Sequence, residues 1–232
     1  MCVTALLTTH DKHQLQKADK IAKNFKSVFG RDCSVHFVGV WETVSSVGWF
    51  YDPFKIPCML ESEVIVTGRQ ALSIDERRSF FQPDLWAENT TKDLKQVWFA
   101  GVHSDIGGGY PYREAGLANI ALKWMLNEAK KSGLAIYEQA ETEFFQENPP
   151  DPNGPIHRSL RKFWWVPEYV PQPYTVRVNK KLVNKFGTHR GRSREIPEGS
   201  FIHESVFQRK ENHANHYNPS NLPNQFVIEK TS

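Results

Sequence analysis

Two short apolar runs constrain this chain more than any other feature. Val35-His36-Phe37-Val38-Gly39-Val40-Trp41 and Gln96-Val97-Trp98-Phe99-Ala100-Gly101-Val102 are rich in β-branched and aromatic residues and do not alternate cleanly with polar ones. A strand that is apolar on both faces must be covered on both, the condition of a parallel sheet between layers of helix. Helical periodicity flanks the runs. Leu15, Ala18, Ile21, Ala22, Phe25, Val28 and Phe29 recur at intervals of three and four up to Gly30. Leu117, Ile120, Ala121, Trp124 and Met125 mark one face of another helix that ends near Gly133. Between the strands, residues 74–81 (IDERRSFF) read as a short helix ended by Pro83. The alternation predicts an α/β layer architecture with a parallel sheet. A sheet has about five or six strands on average and only two are legible. The expectation is therefore that the others lie outside the chain, leaving Trp41, Trp98 and Phe99 on an uncovered, association-prone face.

The second half reads differently. Residues 147–155 (ENPPDPNGP) are breaker-rich and read as a linker or exposed loop. Beyond them Phe163, Trp164, Trp165 and Tyr169, with Pro167, Pro171 and Pro173, follow no helical or alternating period. The expected organisation is an α/β part at 1–140 and an irregular, aromatic-rich extension or lid-like segment at 141–232. Composition excludes several classes. With 39% hydrophobic and 24% charged residues, the chain is an ordinary globular sequence. Cys2, Cys33 and Cys58 are odd in number and share no CxxC spacing, which argues against a disulfide framework or zinc ribbon and for a reducing, cytoplasmic setting. The apolar stretch at the start is too short to span a bilayer. The net charge of +3 names no partner, but residues 177–194 carry seven basic side chains and no acid. Such a run is a solvated loop or a contact for an anionic lipid surface through Lys180, Lys181, Lys185, Arg190 and Arg192. No nucleic-acid-binding signature accompanies it.

Both strands end in polar groups: Glu42 and Thr43 after the first, His103, Ser104 and Asp105 after the second. Open parallel sheets bind ligands beyond the carboxyl ends of their strands, so a carboxylate and an imidazole delivered there can meet as acid and base, with the acid fixing the imidazole's tautomer. Asp105 is an alternative partner, for His103 or for a loop amide. Gly107, Gly108 and Gly109 lead towards a helix, where backbone amides can face an anion or oxyanion, or simply form a tight turn. No third ligand at recognisable spacing accompanies the His-x-Asp pair, so neither metal nor cofactor is expected. The pentapeptide G-x-S-x-G, which sets the serine of an α/β-hydrolase on a strained strand-to-helix turn, does not occur. Gly191-Arg192-Ser193-Arg194-Glu195 is the nearest approach, and Ser45, Ser46 and Ser104 near the expected site have no elbow context.

The segments VHFVGVWETVSSVGW (35–49), ALSIDERRSFFQPDLW (71–86) and QVWFAGVHSDIGGGYP (96–111) resemble the uncharacterised α/β-hydrolase domain family of fungal proteins and bacterial type VI secretion lipase effectors. The likeness extends more loosely through WMLNEA (124–129) to FIHESVFQR (201–209). It implies the C-terminal part of a partial α/β-hydrolase-like sheet flanked by helices, acting on lipid or other ester bonds. Glu42 and His103 would be acid and base, Glu42 standing where the family usually has Asp. The family's serine elbow would precede the first segment. The resemblance thus implies a hydrolase lacking its nucleophile and inactive alone, a fragment or a partner of a missing N-terminal half. The alternative is a non-catalytic interaction module derived from the fold. His203, in FIHESV, competes with His103 as the histidine.

Overall fold

The computed structural model describes residues 12–31, 33–44, 65–86, 92–178 and 181–231. The chain divides into two compact units, residues 1–35 and 36–232. In the first, the three-and-four spacing yields α1 (Lys12–Phe29). One turn separates Phe25 from Phe29, whose ring centroids lie 5.0 Å apart.

The rest of the chain runs β1 (Val35–Trp41), β2 (Ile65–Ser73), β3 (Asp93–Phe99), α2 (His103–Gly107), α3 (Gly116–Lys131), α4 (Glu138–Glu147), α5 (Trp165–Glu168), β4 (Gln172–Val178), β5 (Lys181–Gly187), β6 (Phe201–His203), α6 (Glu204–Glu211) and β7 (Val227–Glu229). Strands β1, β2, β3, β6 and β7 form one sheet in that spatial order, and β4 pairs with β5 in a separate antiparallel hairpin. The β2/β3, β3/β6 and β6/β7 pairs are parallel, with Leu72 opposite Trp98 and Trp98 opposite Ile202. Period-two alternation sends neighbouring residues to opposite faces. Ala71, Val97 and Phe99 meet Leu117, Ile120, Ala121, Trp124 and Met125 of α3 on one side. Leu72 and Trp98 meet Ile196, Ile202 and Val206 of α6 on the other. Each large apolar side chain so buried contributes about 1.5–3 kcal/mol before entropy is counted.

Several expectations are corrected. The additional strands come from inside the chain, and Trp98 and Phe99 are buried rather than left on an open face. Strand β2 is concealed in sequence by Gly68-Arg69-Gln70, whose two polar side chains are buried against partners from elsewhere in the chain. Arg69 pairs with Glu128 and Asp93, and Gln70 donates to the carbonyl of Asp84 at 3.0 Å. Strands β6 and β7, three residues each, are too short to carry a period. Because they complete the sheet, the boundary near residue 140 does not divide it, and the supposed irregular extension includes α5, the β4/β5 hairpin and α6.

Residues 74–81 do not form the expected helix; only Ser79–Phe81 makes a 3-10 turn. Ile74 and Asp75 donate instead to the carbonyls of Phe99 and Gly101, at 3.0 Å each, extending the sheet's pairing beyond β2. Of the two readings of 147–155, linker or exposed loop, the structure has a largely exposed loop, tied down by Arg209, which donates to the carbonyls of Pro152 and Gly154, both at 2.7 Å. Among the described residues, no helix is long and apolar enough to cross a membrane.

Candidate active site

The carboxyl ends of β1, β2 and β3 lie side by side, and each delivers one part of a polar cluster. Glu42 follows β1 in a left-handed conformation, φ 50°, and is buried. Its own N–H donates to the Ala71 carbonyl at 2.9 Å, and its Oε1 accepts the N–H of Ser73 at the end of β2. His103 opens α2 just after β3, and its Nδ1 stands 3.0 Å from Glu42 Oε2. The short link from β3 to α2 passes through Gly101 at φ 130°, where a Cβ would lie 2.7 Å from that of Asp105.

Arg194 completes the cluster from a distant part of the chain. It is fully buried and grips Glu42 bidentately, one guanidinium nitrogen to Oε1 at 2.8 Å and the other to Oε2 at 2.9 Å. It also donates to the Ser73 carbonyl and hydroxyl, at 3.0 and 2.7 Å. Burial on its own would raise the Glu42 pKa, but the Arg194 charge and the hydrogen bonds from His103, Arg194 and Ser73 outweigh it and bring it down to about 2. Glu42 is therefore an anion at neutral pH, so the proton between it and His103 belongs on Nδ1. That leaves Nε2 as the basic nitrogen. The His103 side chain keeps 26% of its surface exposed, while the Glu42 side chain keeps 1%. The edge of Phe81 packs on the imidazole, ring centroids 4.8 Å apart.

A second buried carboxylate, Glu76, fixes the surroundings. It accepts the N–H groups of Arg77 and Arg78, the Arg78 guanidinium, the Ser159 hydroxyl at 2.8 Å and the backbone N–H of His103 at 3.2 Å. Burial again works against ionisation, and the bonds to Arg78 overcome it, so the Glu76 pKa lies below its ordinary value.

The other expected site residues fall elsewhere. Asp105 faces away from His103: it accepts the N–H of Val102 at 2.9 Å, closing the first turn of α2, and meets Nδ1 of His157 at 2.6 Å. Glu114 binds the far nitrogen of that ring at 3.1 Å, and Tyr110 stacks on it. Burial lowers the His157 pKa, but the two carboxylates raise it by more, so it holds its proton more firmly than a free histidine. His203 meets the hydroxyls of Ser205 at 2.8 Å and Thr231 at 2.7 Å and accepts the Ser205 N–H at 3.2 Å, and burial lowers its pKa to about 4.

Gly107, Gly108 and Gly109 are exposed and close α2 instead of opening a helix, with Gly108 and Gly109 at φ 84° and 124°. They sit at a helix's carbonyl end, the end less suited to an anion. Ser45, Ser46 and Lys180 lie outside the described residues. Among those described, no hydroxyl hydrogen-bonds the His103 ring, and no group of three or more His, Cys, Asp or Glu side chains is arranged to hold a metal. Arg194, Glu76 and His157 were not legible as parts of this region. Arg194 sat in a basic run that reads as solvated, and nothing local distinguishes a buried arginine from an exposed one.

Residues 5–128 match the family described as "T6SS, Phospholipase effector Tle1-like, catalytic domain", more than half of the 232 residues. A stretch of 72 residues is 38% identical to "Uncharacterized protein YEL023C" of Saccharomyces cerevisiae, covering 30% of this chain and 10% of that protein. The crystal structure of an uncharacterized protein from Pseudomonas aeruginosa aligns over 50% of this chain and 21% of that one, with 24% identity and a TM-score of 0.37.

Proposed function

The chain belongs to the Tle1-like phospholipase effector catalytic-domain family, and from that membership we propose that Glu42 and His103 are the acid and base of a site that cleaves carboxylic ester bonds of phospholipids. The observation that carries this reading is the 3.0 Å contact between His103 Nδ1 and a buried, ionised Glu42 at the carboxyl ends of adjacent strands. Nε2 of His103 takes the proton of a hydroxyl nucleophile as that oxygen attacks the ester carbonyl. Glu42 stabilises the imidazolium so formed and does not itself take the proton. His103 then protonates the departing alcohol, and water hydrolyses the acyl intermediate by the same proton transfers in reverse. Arg194 and the Ser73 N–H hold the carboxylate still throughout.

The sequence contains no G-x-S-x-G. The nucleophile is accordingly assigned to a segment other than the described residues, and without it the acid–base pair has no hydroxyl to deprotonate. The test is hydrolysis of a short-chain p-nitrophenyl ester by the chain and by its His103→Ala form, with a fluorophosphonate probe to trap any activated serine. Turnover that survives His103→Ala overturns the assignment. A folded chain with neither turnover nor a trapped serine supports a nucleophile supplied from elsewhere.

A further inference from the structure

Beside the acid–base pair lies a surface that this chemistry does not use. Phe163 is 87% exposed, Val166 and Tyr169 61% each, and Trp164 and Trp165 keep 40% and 38% of their surface in water. These residues lie in the 3-10 turn Lys162–Trp164 and in α5, with Tyr169 capping its end. They are displayed on a rigid base. Glu168, at the end of α5, is buried and accepts the N–H groups of Ser79 and Gly191, at 2.7 and 2.8 Å. Trp164 packs edge-on against Phe81, the ring that touches His103, with centroids 5.6 Å apart. The Arg78 guanidinium lies over both Phe81 and Trp164.

The aromatic turn borders a cavity of about 990 Å³ whose lining includes Arg77, Arg158, Arg161, Lys162 and Arg209. Its one acid, Asp75, is already engaged, accepting the Gly101 N–H at 2.7 Å and the Tyr217 hydroxyl at 2.8 Å. Lys162 and Trp165 belong to both the cavity wall and the turn, so cationic and aromatic surface are continuous. Tryptophan and tyrosine favour the depth at which lipid headgroups meet acyl chains, and clustered lysine and arginine are drawn to anionic headgroups. A contiguous exposed apolar patch on a folded protein marks an interaction surface.

We propose that residues 158–169 dock the protein onto an anionic phospholipid surface, with the aromatic turn inserted at the headgroup level and the arginine-lined cavity taking a headgroup phosphate. The proposal rests on the phospholipase reading for its lipid, and it deepens that reading by placing the bilayer on the side of the molecule where His103 is open. Phe81, shared between His103 and Trp164, sets the distance from membrane to base.

The test is co-sedimentation of the full chain with vesicles of phosphatidylcholine, alone or mixed with phosphatidylglycerol, for the unaltered protein, Phe163→Ser, Arg161→Glu/Lys162→Glu and Lys185→Glu/Arg190→Glu. Selective binding to the anionic vesicles is expected, weakened about tenfold or more by the charge reversal at 161 and 162. Phe163→Ser should weaken it as well, while the pair at 185 and 190, on the other basic run, should leave it intact. Binding lost with the 185/190 pair instead overturns the proposal. So does binding to neither vesicle, or a self-association that Phe163→Ser dissolves without any vesicle binding. Sedimentation needs no turnover, so its outcome is separate from that of the ester assay with His103→Ala.

Discussion

Two regions of the molecule contain nearly the same arrangement and differ in what they leave open. In one, buried Glu42 meets Nδ1 of His103 at 3.0 Å and accepts the N–H of Ser73. In the other, buried Glu168 meets Nδ1 of His189 at 2.8 Å and accepts the N–H groups of Ser79 and Gly191. The far side of His189 is closed by Gln82 at 3.3 Å, and its side chain is 4% exposed against 26% for His103. Glu42 also has a guanidinium, whereas Glu168 is held by neutral donors and the imidazole. A carboxylate-bound histidine is thus a common structural device. What sets the first pair apart is an open second nitrogen at the strand ends and a fixed charge behind the carboxylate.

The comparison breaks most sharply on activity. In any preparation that turns over an ester, His103→Ala is expected to lower kcat by about 10³-fold or more. His189→Ala should leave kcat within a few-fold; a comparable loss there would erase the distinction. Stability should rank the two the other way. His189→Ala is expected to cost about 2 kcal/mol, because Glu168 loses a buried partner, and His103→Ala no more than about 1 kcal/mol, both read from urea denaturation.

The guanidinium supplies the next contrast. Arg194→Met strands the Glu42 charge in the interior and is expected to cost about 3–5 kcal/mol. Glu168→Gln keeps the shape, and some of the hydrogen bonds, of its site and should cost about 1–2 kcal/mol. If Arg194→Met is nearly neutral, Arg194 is not what holds the acid.

The smallest difference is in pH dependence. The Glu42 carboxyl is depressed from about 4.5 when unfolded to about 2 when folded, so its contribution is present above pH 4.5 and is lost as pH falls towards 2. A shift of that size corresponds to about 3 kcal/mol. Glu168 is also lowered, its burial outweighed by His189 and two backbone N–H groups, and it acts in the same direction. Burial raises Asp75 to about 6, so its contribution runs oppositely, stability rising as pH falls through that value. Glu42→Gln should flatten the acid limb of the stability curve between about pH 4.5 and 2, and Glu168→Gln should flatten it less.

How much of this could be read from residues follows from local pattern. β1, β3 and α3 carry enough apolar periodicity to be recognised, and the ends of the two strands then bring Glu42 and His103 within reach of each other. β2 stayed hidden because its polar residues are buried with partners more than 20 positions away, Arg69 on Asp93 and Glu128. β6 and β7 have no pattern of their own and are strands only because β3 offers an edge to β6, and β6 in turn to β7. The role of Arg194 depends on a contact across 152 positions, which no window along the chain contains. Of the two partners open to Asp105 in sequence, His103 or a loop amide, it takes the amide, that of Val102, and its other oxygen meets His157, which no local pattern signals.

That 152-position separation also has a meaning in time. A ribosome adding about 5–20 residues per second delivers Glu42 about 8–30 seconds before the arginine that neutralises it. Until then the carboxylate has only the Ser73 N–H and an imidazole to hold it, and closing so long a loop delays the lock further. The Glu42–His103 pair is made early in synthesis, whereas its locked form comes late, so a nascent chain arrested before residue 194 carries both side chains without the clamp that sets their geometry.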